Sequence, residues 1–352
     1  MKFVVAIDSL KGCLTSTEAN EAAAVAIEEA APEAEVVQVP VSDGGEGFVD
    51  AAHLALGGTL VGVMVNDPLL RPVCAKYLLQ NELAVMEMAQ ASGLTLLKNT
   101  ERNPLAATSY GTGQMVADAV RRGAKRIVVG LGGSATSDAG KGLLQALTDC
   151  GMVSGQGCVT EALADVHFTI ATDVRNPLCG KNGAALVFAP QKGATEEMVR
   201  LLEGQAKAFA EASARALGYD RSEWEGAGAA GGVGYAFLQF LNATRVSGIK
   251  WLLDTIGFEE TVRDADLIVT GEGAADRQTL MGKVPLGVLQ AAGGVPVWLI
   301  AGSVRDREAL LSAGFARVEC INPSGFRLQD VLRKEVARQH IRQTLARLMQ
   351  TS

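Results

Sequence analysis

Histidine is scarce in this 352-residue sequence, which contains three. His53 and His167 stand beside apolar residues, and His340 stands in a strongly charged segment near the C-terminus. Covalent triads need a histidine next to a nucleophile and an orienting acid. The sequence therefore argues against a histidine-dependent covalent mechanism.

Cysteine pairs are missing as well. The six cysteines are scattered along the chain and form no C-x-x-C pair, and three histidines are too few for the common zinc motifs. Such cysteines are typical of reduced thiols in the cytoplasm. We therefore expect a cytoplasmic protein without a zinc site.

Basic clusters and long apolar runs are also rare. The net charge is −7, and lysine and arginine cluster only in the last predicted helix, whose outer face we interpret as solvated. Met1 and Lys2 lead directly into the apolar strand 3–7, and no segment reaches the length of a membrane span. The sequence thus predicts neither a nucleic-acid partner, nor a membrane partner, nor a signal peptide.

What the chain does contain is glycine and apolar residues. It has 40 glycines and 48% hydrophobic residues, which is typical of a turn-rich, well-buried α/β protein. A chain of 352 residues exceeds one ordinary core. Two domains are therefore expected.

The central motif is GLGGSATSDAG, which we call the 130–140 loop. An apolar segment at 126–129 precedes it and an apolar helical segment at 143–147 follows it, which predicts a strand, a tight loop and a helix. Glycines and the N–H groups at a helix start can cradle an anion such as phosphate. A plain strand-to-helix turn is the alternative. The three hydroxyl groups and Asp138 in the loop favour a binding site.

Two βα units open the chain. Strand 3–7 is followed by Asp8, Ser9 and Lys11, and a capping box at 15–18 begins an alanine-rich helix. Because ligands bind at the carboxyl ends of strands in open α/β sheets, these three side chains are candidates for a site, although a cap and a surface lysine explain them equally well.

The second unit ends its strand, 36–39, in a glycine-rich loop that contains Asp43 and Glu46. Carboxylates in such a loop can bind Mg²⁺ or accept a proton. The alternative is a favourable interaction with the helix dipole.

The middle of the chain has a different pattern of predicted elements. Short β-prone runs at 60–65, 73–79 and 83–88 are separated by polar turns, which predicts antiparallel strands and a domain boundary near residue 58. Further on, we predict strands at 168–172, ending before Asp173 and Asn176, and at 184–188.

Two further glycine-rich segments follow. Residues 226–234 contain G-x-G-x-x-G, but no strand precedes them, so we predict a glycine loop that opens a helix at 235–241 rather than a dinucleotide fingerprint. A predicted strand at 266–270 ends in a loop with Glu272, Asp276 and Lys283.

The chemistry of these clusters favours phosphoryl transfer. Acids, lysines, glycine N–H groups and Mg²⁺ supply the positioning and charge neutralisation that this reaction needs. The chain lacks G-x-x-x-x-G-K-[ST], H-R-D and D-F-G, so it is neither a P-loop NTPase nor a protein kinase.

Eight blocks, in order along the chain, resemble the type I glycerate kinase family. They are SLKGCL (9–14), SDGGEG (42–47), GTGQ (111–114), GLGGSATSDAG (130–140), ATDVRNPLCG (171–180), FAPQKGA (188–194), GAGAAGGVG (226–234) and TGEGAADRQTLMGKVPLGV (270–288). The resemblance implies phosphorylation of D-glycerate by ATP with Mg²⁺, usually to 2-phosphoglycerate. It also implies a Rossmann-like (flavodoxin-like) parallel-sheet domain and a second α/β domain of unusual, mixed-sheet topology.

The chain departs from the family pattern at a few positions. Ile7 replaces a usual Pro, Leu10 and Cys13 replace the Phe and Ser of SFKGS, and Ser42 replaces Ala. The segment after Cys150 is shorter than usual, which bears on substrate choice and oligomer contacts.

The sequence and the resemblance together suggest roles for the strand-end residues. Lys11 and Lys283 would neutralise carboxylate or phosphate charge, and Asp173 or Asp276 would take the proton from the glycerate hydroxyl. The Mg²⁺ candidates are Asp43, Glu46 and Glu272. Further substrate or nucleotide contacts are expected from Asp8, Ser9, Gly132, Gly133, Ser134, Asp138, Asn176, Gly271 and Gly273.

Two other functions stay open on the sequence. Gly130, Gly132 and Ala135 fit the G-x-G-x-x-A of an NAD-dependent dehydrogenase, for which Glu161 has the spacing of the ribose-binding acid. A non-catalytic organic-acid-binding protein is the second.

The expected domain layout pairs 1–58 with 246–352 as the Rossmann-like domain and leaves 59–245 as the second α/β domain. The reaction would take place in a cleft between them, in a monomer or a homodimer.

Overall fold

The computed structural model describes residues 1–155, 157–323, 325 and 328–350. It divides into two compact units, one formed by Met1–Asp43 and Ile249–Ser352 and the other by Gly44–Gly248. Its strands are β1 (Lys2–Ile7), β2 (Glu35–Gln38), β3 (Thr59–Asn66), β4 (Pro72–Gln80), β5 (Leu83–Glu87), β6 (Arg126–Gly130), β7 (His167–Ala171), β8 (Thr244–Val246), β9 (Leu267–Ala275), β10 (Val297–Val304) and β11 (Arg317–Cys320).

The α-helices lie between and after these strands. They are α1 (Ser16–Ala30), α2 (Phe48–Leu56), α3 (Ala89–Ser92), α4 (Tyr110–Arg121), α5 (Lys141–Asp149), α6 (Ala184–Phe188), α7 (Glu196–Leu217), α8 (Ala229–Phe240), α9 (Gly248–Ile256), α10 (Phe258–Val262), α11 (Val284–Gln290), α12 (Arg307–Ser312), α13 (Leu328–Val331) and α14 (Lys334–Gln350).

The first unit contains a parallel sheet in the order β11-β10-β9-β1-β2. Renumbered along the unit, this is the doubly wound order 2-1-3-4-5 of flavodoxin-like folds. β1 is buried at every residue from Phe3 to Ile7, as expected for a strand with elements on both faces. The predicted Rossmann-like parallel-sheet fold is therefore confirmed.

Helix α1 begins where the sequence predicts. The side chain of Thr15 accepts a hydrogen bond from the Glu18 N–H, and the Glu18 carboxylate accepts one from the Thr15 N–H, which completes the capping box. The small-residue face of α1, including Ala19, Ala23 and Ile27, packs in the apolar core with β1 and α14.

The second unit contains a mixed sheet in the order β3-β4-β5-β6-β7-β8. The pairs β3–β4 and β4–β5 are antiparallel, and the pairs from β5 to β8 are parallel. The predicted antiparallel hairpins and the predicted mixed sheet are both confirmed. In the parallel part, Glu87, Gly130 and Ala171 lie side by side at the carboxyl edge.

The predicted strand at 184–188 is wrong, because these residues form α6. A five-residue apolar run does not distinguish a strand from a buried helical turn by its periodicity. Here Ala184 and Ala185 are buried, and the turn packs against α7 and α8.

Two glycine-rich segments also differ from expectation. β9 runs to Ala275 instead of ending at Thr270, because β10 continues alongside it as far as Val304. The 226–234 segment enters α8 earlier than predicted, and left-handed φ values at Ala230 (54°), Gly231 (66°) and Gly232 (93°) interrupt that helix.

The N-terminal segment of the first unit ends at Asp43, whereas the sequence predicts a domain boundary near residue 58. The reason is α2, which packs against β4 and β5 of the mixed sheet. As a division into domains, the limits 1–58, 59–245 and 246–352 stay a prediction.

No helix among residues 1–155, 157–323, 325 and 328–350 is long and apolar enough to cross a membrane.

Candidate active site

In the first unit, Asp8 and Ser9 follow β1 at the point where the strand order reverses. The Asp8 N–H donates to the Gly271 carbonyl on β9 (2.9 Å), and the Ser9 N–H donates to Asp8 Oδ1 (2.7 Å). Both side chains are buried. The carboxyl ends of the paired strands β1 and β9 form the switch point of this doubly wound sheet, the place where such folds bind ligands.

Glu272 lies on β9, one residue beyond the last β1–β9 residue pair. Its carboxylate accepts hydrogen bonds from Thr279 Oγ1 (2.6 Å) and Lys283 Nζ (3.2 Å). Burial raises the pKa of Glu272, while Thr279 and Lys283 oppose that rise. Lys283 therefore already neutralises a buried acid.

Asp8 shares its surroundings with two other acids. Burial raises the pKa of Asp8 well above its ordinary value, and the charges of Asp43 and Glu272 raise it further. The Ser9 N–H and the Lys11 ammonium act in the opposite direction. The charges of two neighbouring carboxylates thus disfavour the ionised form of Asp8, and a cation beside Asp8 would favour it.

These carboxylates fit Mg²⁺ in one particular way. Among the described residues, no three His, Cys, Asp or Glu side chains form a closed metal cage. Mg²⁺ usually binds through one or two carboxylates together with waters and substrate phosphates. Of the three metal candidates from the sequence, Asp43 and Glu272 belong to the first unit, whereas Glu46 belongs to the second unit and is exposed.

The remaining predicted residues of the first unit flank Glu272. Lys11 is exposed, and a Cβ on Gly273 would lie 3.9 Å from the Lys11 nitrogen, so the two backbones run close together. Asp276 Oδ1 accepts the Gln278 N–H (2.8 Å), which begins a short 3₁₀ turn. The structure brings Asp8, Ser9, Lys11, Asp43, Gly271, Glu272, Gly273, Asp276 and Lys283 into this one unit.

In the second unit, two glycine loops lie against each other at the carboxyl edge of the mixed sheet. The Gly132 N–H donates to the Gly44 carbonyl (3.2 Å), and a Cβ on Gly132 would lie 2.5 Å from Gly45 Cα. A Cβ on Gly44 would lie 2.7 Å from the Ala171 carbonyl oxygen. Glycine is needed at these positions for close backbone packing.

The start of α5 differs from the expected anion cradle. The Asp138 carboxylate accepts the N–H groups of Gly140 (3.0 Å) and Gly142 (3.1 Å), and Ser109 Oγ accepts the N–H of Leu143 (3.0 Å). Ser109 also donates to Asp138 from its own N–H and hydroxyl.

The expectation that these helix N–H groups are open to a ligand is therefore wrong, since the carboxylate of the loop itself occupies them. Asp138 has a structural role here, and its predicted contact with a ligand stays a prediction.

The 226–234 segment packs against the 130–140 loop through backbone contacts. The Ala139 N–H donates to the Gly231 carbonyl (3.0 Å), and a Cβ on Gly231 would overlap the Thr136 carbonyl. The Gly228 N–H donates to the Asn176 carbonyl (2.8 Å), and Asn176 Nδ2 donates to Asn182 (2.8 Å). These glycines serve packing between loops, and Asp173 and Asn176 lie on one of the packed loops.

Sequence reasoning missed two buried ionisable side chains in this unit. Glu87 ends β5, and Lys192 ends the 3₁₀ turn Pro190–Lys192. The signals were present, because Glu87 is a lone acid in the apolar run 83–88 and Lys192 is the one charged residue of the FAPQKGA block.

Glu87 holds the start of α2. Its Oε1 accepts the Val49 N–H (2.8 Å), and its side chain is 4% exposed. Burial raises the pKa of Glu87 to about 7, and the charges of Asp50 and Glu46 add to that rise. A carboxyl group at this edge of the sheet therefore titrates near neutral pH.

The dehydrogenase fingerprint is incomplete in the structure. Glu161, the acid at the expected spacing, lies in the 3₁₀ turn Glu161–Leu163, which precedes β7. The fingerprint needs this acid at the end of a strand.

The first unit thus supplies acids and lysines at the switch point of a parallel sheet. The second supplies glycine-rich loops at the edge of a mixed sheet. Each unit thus contains groups of a kind that phosphoryl-transfer enzymes use, acids and lysines in one and glycine-rich loops in the other.

Comparisons with known proteins specify the family. The model of the glycerate kinase family matches residues 3–152 and 154–352. A glycerate kinase from Bacillus subtilis (strain 168) is 40% identical over 353 residues, which covers 94% of this chain and 92% of the relative. A glycerate 2-kinase from Escherichia coli (strain K12) is 40% identical over 328 residues, covering 87% and 86%.

A solved structure agrees with the sequence relatives. The crystal structure of a protein provisionally named glycerate kinase 2, from Salmonella typhimurium LT2, superposes with a TM-score of 0.80 at 38% identity, covering 100% of this chain and 98% of that one. The chain belongs to the glycerate kinase family, and ATP is the phosphate donor that this kinase family implies.

Proposed function

We propose that this protein transfers the γ-phosphoryl group of ATP to D-glycerate and forms 2-phospho-D-glycerate, with Mg²⁺ as the metal ion. The observation that carries the proposal is the group of Asp8, Asp43 and Glu272 at the switch point, flanked by Lys11 and Lys283. Phosphoryl transfer depends on neutralising and positioning charge, and this group supplies both signs of charge in one place.

The acids and lysines of the first unit have distinct roles in the proposal. Asp43 and Glu272 would hold Mg²⁺, which would supply positive charge to neutralise the phosphates. Glu46, in the second unit, stays a separate metal candidate from the sequence. Lys11 and Lys283 would neutralise the substrate carboxylate or the phosphates. Asp8, Ser9, Gly271 and Gly273 would provide contacts around the same strand ends.

In the second unit, we assign phosphate binding to Gly132, Gly133 and Ser134. Gly133 is exposed, with a left-handed φ of 71°, whereas the Gly132 N–H already bonds to Gly44. The exposed Gly133 backbone is therefore better placed to contact a ligand than the Gly132 amide, whereas the Ser134 hydroxyl is buried and already accepts a hydrogen bond from Lys192. Asn176 and Asp138 complete the proposed contacts, and Asp173 or Asp276 would accept the hydroxyl proton.

The test is ADP formation from ATP and Mg²⁺ with and without D-glycerate. We expect ADP to form only when glycerate is present. ADP release that does not depend on glycerate would overturn the proposal. A parallel incubation with NAD⁺ and D-glycerate is expected to give no NADH, and an NADH signal would support the dehydrogenase alternative.

A further inference from the structure

A buried lysine is hydrogen-bonded to the 130–140 loop. Lys192 is 3% exposed, and its Nζ donates to Ser134 Oγ (2.8 Å) and to the Thr136 carbonyl (2.6 Å). Both acceptors belong to the loop. The ammonium group therefore joins the 3₁₀ turn at 190–192 to the middle of the loop.

A lysine in this position is costly. Burying an ammonium group in a protein interior is unfavourable, and here burial lowers the pKa of Lys192 to about 7, against an opposing effect of Asp138. An apolar side chain of similar volume would fill the space without that cost. The lysine therefore does something that packing alone does not require.

The hydrogen bonds of Asp138 and Ser137 show which part of the loop Lys192 can influence. The Asp138 carboxylate is saturated by hydrogen bonds at the start of α5. Ser137 Oγ, by contrast, is buried and has no hydrogen-bond partner within the described part of the chain. The stretch between Gly133 and Ser137 thus contains three buried hydroxyl residues and a glycine with left-handed φ, and Lys192 bonds to it at Ser134 and Thr136.

We propose that Lys192 is a positioning residue of the kinase reaction: it fixes Ser134 and the Thr136 backbone and adds positive charge behind the loop, so that the loop binds the phosphates of ATP. The inference rests on the proposed function of the 130–140 loop as a phosphate site. The polyphosphate fits better than the glycerate carboxylate, because it carries more negative charge for one buried cation to balance.

The primary test compares Lys192→Met with Lys181→Met, an exposed lysine of the same unit. We expect Lys192→Met to raise the KM for ATP at least tenfold and to change the KM for D-glycerate less than twofold, while Lys181→Met leaves both unchanged. An unchanged KM for ATP, or an equal rise in both KM values, would overturn the inference.

A double-mutant cycle tests the contact itself. Because Ser134 is held by Lys192, Ser134→Ala should raise the KM for ATP several-fold in the wild-type background and have little further effect in Lys192→Met. Additive effects would mean that the two residues act independently. Circular dichroism checks folding, and Ser134→Ala, which keeps the lysine, carries the test if Lys192→Met does not fold.

Calorimetric titration with ATP in the absence of glycerate separates this inference from the proposed function. If the wild type binds ATP but forms no glycerate-dependent ADP, the proposed function fails. Weaker ATP binding by Lys192→Met would then still support the role of Lys192, and equal affinity would refute it.

Discussion

Burial shifts the pKa of two side chains of the second unit to about 7, and these are Glu87, an acid, and Lys192, a base. Each bonds to a glycine-rich region: Glu87 to the start of α2, just after the 44–47 loop, and Lys192 to the 130–140 loop. Neither is a surface charge that could be exchanged without consequence. Both bond to such a region through a group whose pKa is about 7.

Glu87→Gln tests this coupling for the acid. Because the folded-state pKa of Glu87 is raised from 4.5 to about 7, its protonated form favours folding at acid pH, and this contribution is lost as the pH rises through about 7. Glutamine keeps an oxygen for the Val49 N–H and carries no charge.

We therefore expect the free energy of unfolding of Glu87→Gln, relative to wild type, to increase between pH 5 and pH 8, by at most about 3 kcal/mol. Urea unfolding at several pH values measures it, with the exposed Glu211→Gln as the matched control. A difference that does not vary with pH would contradict the assignment.

The general base is a second question at the residue scale. Asp173→Asn and Asp276→Asn are each close to isosteric, and asparagine can still accept the Gln278 N–H that Asp276 accepts now. We expect one variant to lose roughly 10²–10⁴-fold in kcat and the other to stay within a few-fold of wild type. Steady-state assays with saturating ATP and D-glycerate decide between them, and near-normal kcat in both would show that neither is the base.

At the scale of elements, glycine has two different uses in this chain. Gly132 has no room for a side chain, because a Cβ would lie 2.5 Å from Gly45 Cα. Gly204 is exposed in the interior of α7, and a Cβ there would meet no atom within 4 Å. The first glycine brings two loops together, whereas the second only weakens a helix.

Alanine substitution should separate these two uses. We expect Gly132→Ala to lower the free energy of unfolding by about 1–3 kcal/mol, because backbone would have to move. Gly204→Ala should raise it by up to about 1 kcal/mol, through helix propensity. Urea unfolding of both variants provides the comparison, and a neutral Gly132→Ala would argue against the close packing of the 44–47 and 130–140 loops.

The elements also show what can be predicted from sequence. β1 and the capping box at α1 were predictable, since an apolar run and a Thr-x-x-Glu pattern are local signals. α6 was not, because its helical state depends on contacts with α7 and α8. Likewise, β9 continues past Thr270 only because β10 lies beside it.

The candidate site follows the same division. Asp8 and Asp43 became candidates because strand ends carry ligands in such folds, a rule that needs only strand positions. Glu272 became a candidate by the same rule, although it lies within β9. Asp138 as a helix cap and Lys192 beneath the loop could not, since both depend on residues brought together over long sequence separations.

At the scale of the whole molecule, the family matches almost the full chain, so both units belong to the conserved protein. The proposed reaction depends on a metal ion, for which Asp43 and Glu272 of the first unit are the proposed ligands. We expect exhaustive removal of divalent cations with EDTA to abolish glycerate-dependent ADP formation and excess Mg²⁺ to restore it. Full activity in the chelated enzyme would remove the metal from the proposal.

The most direct measurement is ³¹P NMR of the enzyme incubated with ATP, Mg²⁺ and D-glycerate. The account predicts the resonances of ADP together with one new phosphomonoester coupled to the C2 proton, in equal amounts. A phosphomonoester on C3 would contradict the proposed product, and inorganic phosphate alone would contradict glycerate phosphorylation itself.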